Sequence, residues 1–256
     1  PYRYRRLIGV GGIGSGLFFA LEGNHDLGRN ESRAASLIDS RDYCKLHIVI
    51  HYLAVLLERE LHILPVAHVG NDSTGLRLIE EMNAVAIDTS HVLISNECPT
   101  LLSVCYQYPD GSGGNITASN SAATLLASQD IDQTESLLEE YSSQCIALAL
   151  PEVGLNFRHH LLKLATRYNA LRVAAFTSAE MLEARRTGIL EHVDLLFLNQ
   201  VEAATMIDVV FDPSDPHLFL NKCAETLRAI QPDIQIVVTA GAHGAYGILN
   251  EEWIHS

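Results

Sequence analysis

The sequence predicts an α/β protein: a mostly parallel sheet flanked by helices, with a small antiparallel β lid. Three observations predict it. From about residue 144 to residue 239, short apolar or β-branched runs alternate with helix-period segments, the mark of strand–helix–strand crossovers in a parallel sheet. Three short runs at 91–95, 101–108 and 116–118 follow one another with turn residues but no helix between them, which predicts a small sheet set on the main body. Several strands break directly into glycine or polar turns, as strands do where loops at one sheet edge hold a ligand.

Taken in order, Leu7, Ile8 and Val10 open a buried strand that runs into Gly11-Gly12-Ile13-Gly14. Residues 17–21 read as a further short strand, and 22–33, with Gly23, Asn24 and Gly28, as a loop. Leu46, Val49, Ile50, Leu53, Ala54 and Leu57 recur at helical spacing and predict a helix over 43–57. A strand follows at 62–69. Gly70-Asn71-Asp72-Ser73-Thr74-Gly75 then turns into a helix through about Asn83, with Asp72 or Ser73 as its N-cap. After the lid runs, helices are predicted over 133–142, 156–169, 179–188, 202–206 and 218–230. Strands are predicted over 144–150, 171–176, 193–198 and 234–239. Gly188 is placed as a helix C-cap. A length of 256 residues suits one such domain, 1–256, with lid strands at about 14–34 and 91–118.

Composition narrows the function. The net charge is −14 and there are only three lysines, Lys45, Lys163 and Lys222, so a basic face for nucleic acid is not expected. No apolar run reaches the roughly 18 residues of a membrane span. Five cysteines, odd in number and without a C-x-x-C pair, fit a reduced cytoplasmic protein. The histidines lack metal-site spacing.

The strongest single stretch is Ile236-Val237-Val238-Thr239-Ala240-Gly241-Ala242-His243-Gly244. A buried strand ends in a hydroxyl and two glycines, and bare amides at such a strand end suit a phosphate. A plain strand and tight turn would use the same residues. The glycines at 9–16 have the spacing G-G-x-G-x-G, and no helix pattern follows them. A dinucleotide site there would also need an acidic residue about 20 positions on, at the end of a second strand. The run Gly111-Ser112-Gly113-Gly114 is read as hairpin turn residues.

Three motifs stand in one order, each after a predicted strand: Gly70-x-Asp72-x-x-Gly75, Asn199-x-x-Glu202 and Thr239-x-Gly241-x-x-Gly244. Together they resemble the ribokinase or phosphofructokinase-B family of sugar and nucleoside kinases, over nearly the whole chain. The resemblance implies a three-layer ribokinase-like fold and transfer of the γ-phosphoryl group of ATP to a hydroxyl of a sugar or nucleoside. It implies that Asn199 and Glu202 organise Mg²⁺ and the phosphates, with Glu202 on the metal side. It implies that Thr239, Gly241 and Gly244 line the nucleotide, and that Asp72 and Ser15 lie toward the acceptor. It also implies a homodimer formed through the lid.

Departures from the family pattern are expected to matter. Ser15 stands near the place of an acceptor-binding acid, and Arg33-Ala34-Ala35-Ser36 near that of a Gly-Gly turn ahead of the first long helix. Phe176-Thr177-Ser178-Ala179-Glu180 replaces an Asp-x-Asn-x-Arg pattern. The family's Gly-Ala-Gly-Asp segment, which carries the base, is expected beyond Ser256. The alternative reading is a non-catalytic nucleotide- or sugar-binding relative.

Overall fold

In a computed structural model, which describes residues 3–57, 60–249 and 252–256, Arg6–Val10 (β1) leads straight into Gly14–Leu21 (β2) and then Ala35–Tyr43 (β3). Lys45–Leu56 (α1), His62–Gly70 (β4), Ser73–Ala84 (α2) and Val92–Ser95 (β5) follow. Leu101–Gln107 (β6) and Gly113–Thr117 (β7) come next, then Ser128–Asp132 (α3) and Glu135–Tyr141 (α4). The second half alternates: Cys145–Ala149 (β8), Leu155–Arg167 (α5), Leu171–Ala175 (β9), Met181–Arg186 (α6), Leu195–Asn199 (β10), Gln200–Ile207 (α7), Pro216–Arg228 (α8) and Gln235–Thr239 (β11). Ala245–Leu249 (β12) and Glu252–His255 (β13) close the chain.

Nine strands form one sheet in the order β13-β12-β11-β10-β9-β8-β1-β4-β5. From β5 to β11 every pairing is parallel, and the last two strands fold back antiparallel. The alternation along each strand feeds two cores. Ile8, Val10, Leu64, Val66 and Ala147 face α3, α4 and α5, and a separate apolar cluster lies under α6, α7 and α8. Leu7, Ile63, Ala67 and Val69 face α1 and α2 on the other side. At β1 and β4 the sheet is covered on both faces, so these strands read as near-continuous apolar runs, whereas β10 and β11 have one covered face and alternate buried with more exposed residues. Among the described residues no helix is long and apolar enough to cross a membrane.

The lid is a second sheet, β3-β2-β6-β7. Its outer pairs are antiparallel and β2 runs parallel to β6. Two sequence expectations change here. The run at 91–95 is not a lid strand: Ala67 pairs with Val92 and Gly70 with Ser95, which puts β5 on the edge of the main sheet. The lid's remaining strand is instead β3, which lies between the expected loop at 22–33 and the expected helix, and takes in the first residue of that helix, Tyr43. Its first seven residues are exposed, so it has no burial alternation to read. Because β3 intervenes, Arg33–Ser36 lie at the strand's far end, and Cys44 alone joins β3 to α1.

No helix follows β1, so the glycines at 9–16 do not open a dinucleotide-binding turn. They allow close packing instead. A Cβ on Gly12 would stand 2.6 Å from the Cβ of Glu152 and 2.8 Å from Leu101 Cδ2. Gly12→Ala is therefore expected to destabilise by about 1–3 kcal/mol through overpacking, outweighing the roughly 0.4–1 kcal/mol that a stiffer unfolded chain returns. A lowered midpoint in urea unfolding checks this.

Candidate active site

The sheet's C-terminal edge carries the sequence motifs. Asn199 ends β10 and Thr239 ends β11, and the two are register partners. Asn199 is the N-cap of α7: its Oδ1 accepts the Val201 and Glu202 N–H groups at 2.9 and 2.8 Å. Glu202 Oε2 accepts the Asn199 N–H at 2.8 Å in return. Asn-x-x-Glu is thus a reciprocal capping box, which locks both side chains at the strand end. Burial pushes the Glu202 carboxyl up, against the pull of the Asn199 N–H and the Lys45 charge.

Asn199, Glu202 and Thr239 share a cleft of about 540 Å³ with Lys45 and Thr177. Its floor is apolar, from Leu148, Val173, Leu195 and Phe197, the sheet face beyond α1. Behind the rim, fully buried Arg158 pairs with Glu180. It also donates to the Ala175 carbonyl at 3.3 Å. Glu180 Oε2 accepts the Thr177 N–H at 2.9 Å. This clamp fixes the end of β9 and with it Thr177.

Gly241 and Gly244 sit on the turn after Thr239 and are not among the cleft's lining residues. Both have positive φ, +57° and +81°. A Cβ on Gly241 would meet nothing within 4 Å, whereas one on Gly244 would crowd His255 Nε2 at 2.8 Å, and the Gly244 N–H donates to the Gly241 carbonyl at 3.2 Å.

A second, smaller cavity of about 120 Å³ lies between lid and body, lined by Gly16, Asp42, Lys45, Ser103, Asn115 and Glu152 among others. Glu152 was missed from the sequence. It stands just past β8 with φ +76°, and its Oε2 accepts the Lys45 backbone N–H at 2.8 Å. Burial pushes its carboxyl up to about 7, partly offset by the Lys45 N–H and the Lys45 charge. The signal available was an acid one residue after the apolar strand Ile146-Ala147-Leu148-Ala149-Leu150-Pro151, at the same edge as Asn199 and Thr239.

Asp72 and Ser15 line neither cavity. The Asp72 carboxylate caps α2 through the Gly75 N–H at 2.8 Å. It also accepts the Thr100 N–H and hydroxyl, both at 2.8 Å. These bonds tie the start of α2 to the entry of β6, and they hold the carboxyl below its usual range despite the opposing effect of burial. Ser15 Oγ accepts from Arg77 at 3.1 Å.

The donor set limits any metal. Among the described residues no three His, Cys, Asp or Glu side chains gather as a cage. Glu202 alone, desolvated and with one oxygen spent on the capping box, suits Mg²⁺ arriving with a nucleotide, since Mg²⁺ is commonly held by one or two carboxylates, waters and substrate phosphates.

The parallel sheet, the lid and a cleft at the strand ends define the ribokinase-like class of α/β proteins. Residues 52–255 match the pfkB family carbohydrate kinases, and the chain belongs to that family. Among solved structures, ribokinase from Giardia lamblia matches with TM-score 0.79 at 13% identity, over 98% of this chain and 75% of that one. Ribokinase from Cryptococcus neoformans var. grubii serotype A, in complex with ADP, matches with TM-score 0.74 at 17% identity, over 99% and 78%. Arabidopsis thaliana ribokinase, complexed with ribose and ATP, matches with TM-score 0.68 at 15% identity, over 99% and 78%. No curated protein sequence matches the chain.

Proposed function

We propose that the chain is the scaffold of an ATP-dependent phosphotransferase acting on a sugar or nucleoside-like hydroxyl. One observation carries the reading: Asn199 and Thr239 stand abreast at neighbouring strand ends, on one cleft with Glu202. In this reading the nucleotide's phosphates lie along the cleft rim, beside Thr239 and the turn that carries Gly241 and Gly244. Mg²⁺ bound beside Glu202 would supply neutralising charge for the phosphates. Neighbours solved with ADP, and with ribose and ATP, support nucleotide use.

The acceptor is placed in the lid-side cavity, where Glu152, Asp42, Ser103 and Asn115 offer hydrogen-bonding groups. Asp72 and Ser15 serve it indirectly, by fixing α2 against β6 and β2. In the transfer, an acceptor oxygen bonds to the γ-phosphorus as the bond to the β–γ bridging oxygen breaks. ADP leaves with that electron pair, and the acceptor proton passes to a carboxylate base. Pairing of two copies through the lid belongs to the same reading. Exposed Leu37, Ile38 and Ile116 support it.

Calorimetric titration with Mg²⁺ and a non-hydrolysable ATP analogue tests the reading. Thr239→Val keeps the β-branched shape and removes the hydroxyl. It is expected to weaken binding by about five- to tenfold, the loss of one phosphate hydrogen bond. No heat of binding by the unmodified chain at millimolar nucleotide overturns the reading.

A further inference from the structure

The joint between lid and body is held by a cluster that the phosphotransferase reading does not use. Tyr43 ends β3, pairs with Ser15 of β2 and lines the lid-side cavity. Its hydroxyl donates to Glu81 Oε2 of α2 at 2.9 Å. Arg77, one turn earlier on α2, donates to Glu81 Oε1 at 2.7 Å and to Ser15 Oγ at 3.1 Å. One ion pair on α2 therefore grips the base of both lid strands. The two residues after Tyr43 complete the joint. The Cys44 N–H donates to the Gly14 carbonyl at 3.2 Å, and the Lys45 N–H to Glu152 at 2.8 Å.

His47 lies beneath this joint. It is fully buried, and neither ring nitrogen has a hydrogen-bond partner among the described residues. The Tyr43 ring covers it at 4.3 Å between centres, and the His51 ring lies 5.6 Å away. The titratable and charged groups around it are thus Tyr43 from β3, His51 from α1, and Glu81 and Arg77 from α2. Burial, and after it the His51 ring, push His47 down to about 4 from an ordinary 6.5, while Glu81 pulls the other way. Burial also works against the Glu81 charge, yet the bonds from Arg77 and Tyr43 hold that carboxyl below its ordinary value. A buried imidazole without an acceptor is tolerated only while neutral. Once charged it needs a carboxylate, and Glu81 is already committed to Tyr43 and Arg77.

We propose that Glu81 is a positioning residue for the lid-side cavity, holding Tyr43 in the cavity wall while His47 is neutral and giving it up when His47 takes a proton. The two arrangements share one carboxylate. With Glu81 on Tyr43, the wall is closed. With Glu81 turned to the imidazolium, the Tyr43 ring moves off His47 and β3 loosens with it. Acid therefore opens the joint. Once opened, His47 regains its ordinary affinity for the proton, so the open share grows as pH falls below 6.5 and levels off near 4. That this wall belongs to an acceptor site rests on the phosphotransferase reading, whereas the catch itself does not.

Amide hydrogen exchange on the full chain without ligand, at pH 7 and pH 5 and corrected for the intrinsic pH dependence of exchange, tests the catch. The ratio of His47→Leu to the parent is read, which cancels titrations common to both, that of Glu152 included. From pH 7 to pH 5, protection at 14–21 and 35–45 is expected to fall about twentyfold more in the parent than in His47→Leu. Protection at 145–149 and 171–175, in the body, is expected to change alike in both proteins. Tyr43→Phe keeps the ring over His47 and loses the bond to Glu81. It is expected to lower protection at 35–45 about tenfold at pH 7 already. Melting curves confirm that the variants fold, and Tyr43→Phe supplies the test should His47→Leu not. An equal fall in parent and His47→Leu, a difference shared by the body strands, or unchanged protection in Tyr43→Phe overturns the inference. No nucleotide or acceptor is present, so these outcomes leave the phosphotransferase reading untouched, and failure of that reading in calorimetry leaves the catch standing.

Discussion

Glu180→Ala is expected to cost about 3 kcal/mol of folding stability, the low end of what breaking a buried ion pair costs. Arg158 has a side chain fully removed from water, and Glu180 keeps a quarter of its own exposed. That exposure puts the loss at the low end. Without Glu180, the guanidinium keeps only the Ala175 carbonyl at 3.3 Å and the face of Phe176, 5.4 Å from its ring centre. Its Nε has no hydrogen-bond partner among the described residues, so the charge would be left largely unanswered. Burial already pushes Arg158 down, and the Glu180 charge is the main opposing effect. The double change Arg158→Met, Glu180→Leu removes both charges and is expected to recover most of the loss, because apolar groups of similar volume often replace a buried pair without penalty. Urea unfolding of the three proteins at pH 7 checks the order. A single variant as stable as the parent would mean that water enters this layer.

The site also depends on the clamp. Glu180 holds the Thr177 N–H, so its removal releases one wall of the cleft as well as the charge. This part was not readable from residues. Phe176-Thr177-Ser178-Ala179-Glu180 looks like a polar strand end, and nothing local says that Glu180 turns inward to a helix residue 22 positions back. Asn199-x-x-Glu202 was legible because its chemistry is local: the capping box closes within one helical turn. Thr239 was legible because a β-branched run sets its register beside Asn199. β5 and β3 fail for the opposite reason. Four residues at 92–95 look alike in either sheet, and only the distant pairing with β4 decides. The cap of α2 was legible as Asp72 or Ser73, and it is Asp72, but its bonds to Thr100 come from a chain crossing no spacing rule encodes. Glu152 escaped because its burial is made by Gly12, Cys44 and the start of α1, which are brought together only by the fold.

Glu152→Gln is expected to make the protein more stable above neutral pH while abolishing its response to an acceptor. The sign follows from the carboxyl, which burial raises to about 7 in the folded state from an ordinary 4.5. Between those values the folded state holds more protons than the unfolded one, so stability falls as pH rises through the window. At roughly 1.4 kcal/mol per unit the full loss is about 3 kcal/mol, complete by about pH 8. Glutamine has no proton to lose and still accepts the Lys45 N–H, so its stability is expected to stay level between pH 4.5 and 8 and to overtake the parent's at the upper end. Urea unfolding at the two pH values reads both trends, and a parent stability that does not fall would place this carboxyl in water. A group that destabilises the fold at working pH invites a functional explanation, since strained or desolvated groups are kept where activity needs them. Here the carboxylate lines the lid-side cavity, with Asp42, Ser103 and Asn115 around it. A sugar hydroxyl donating to it would satisfy the charge that the fold leaves poorly solvated. Binding would then raise the melting temperature of the parent more than that of the glutamine variant. A screen of sugars and nucleosides by thermal shift on both proteins, at pH 8, therefore picks out the acceptor as the compound whose stabilisation Glu152→Gln removes. A compound that stabilises both proteins equally binds elsewhere.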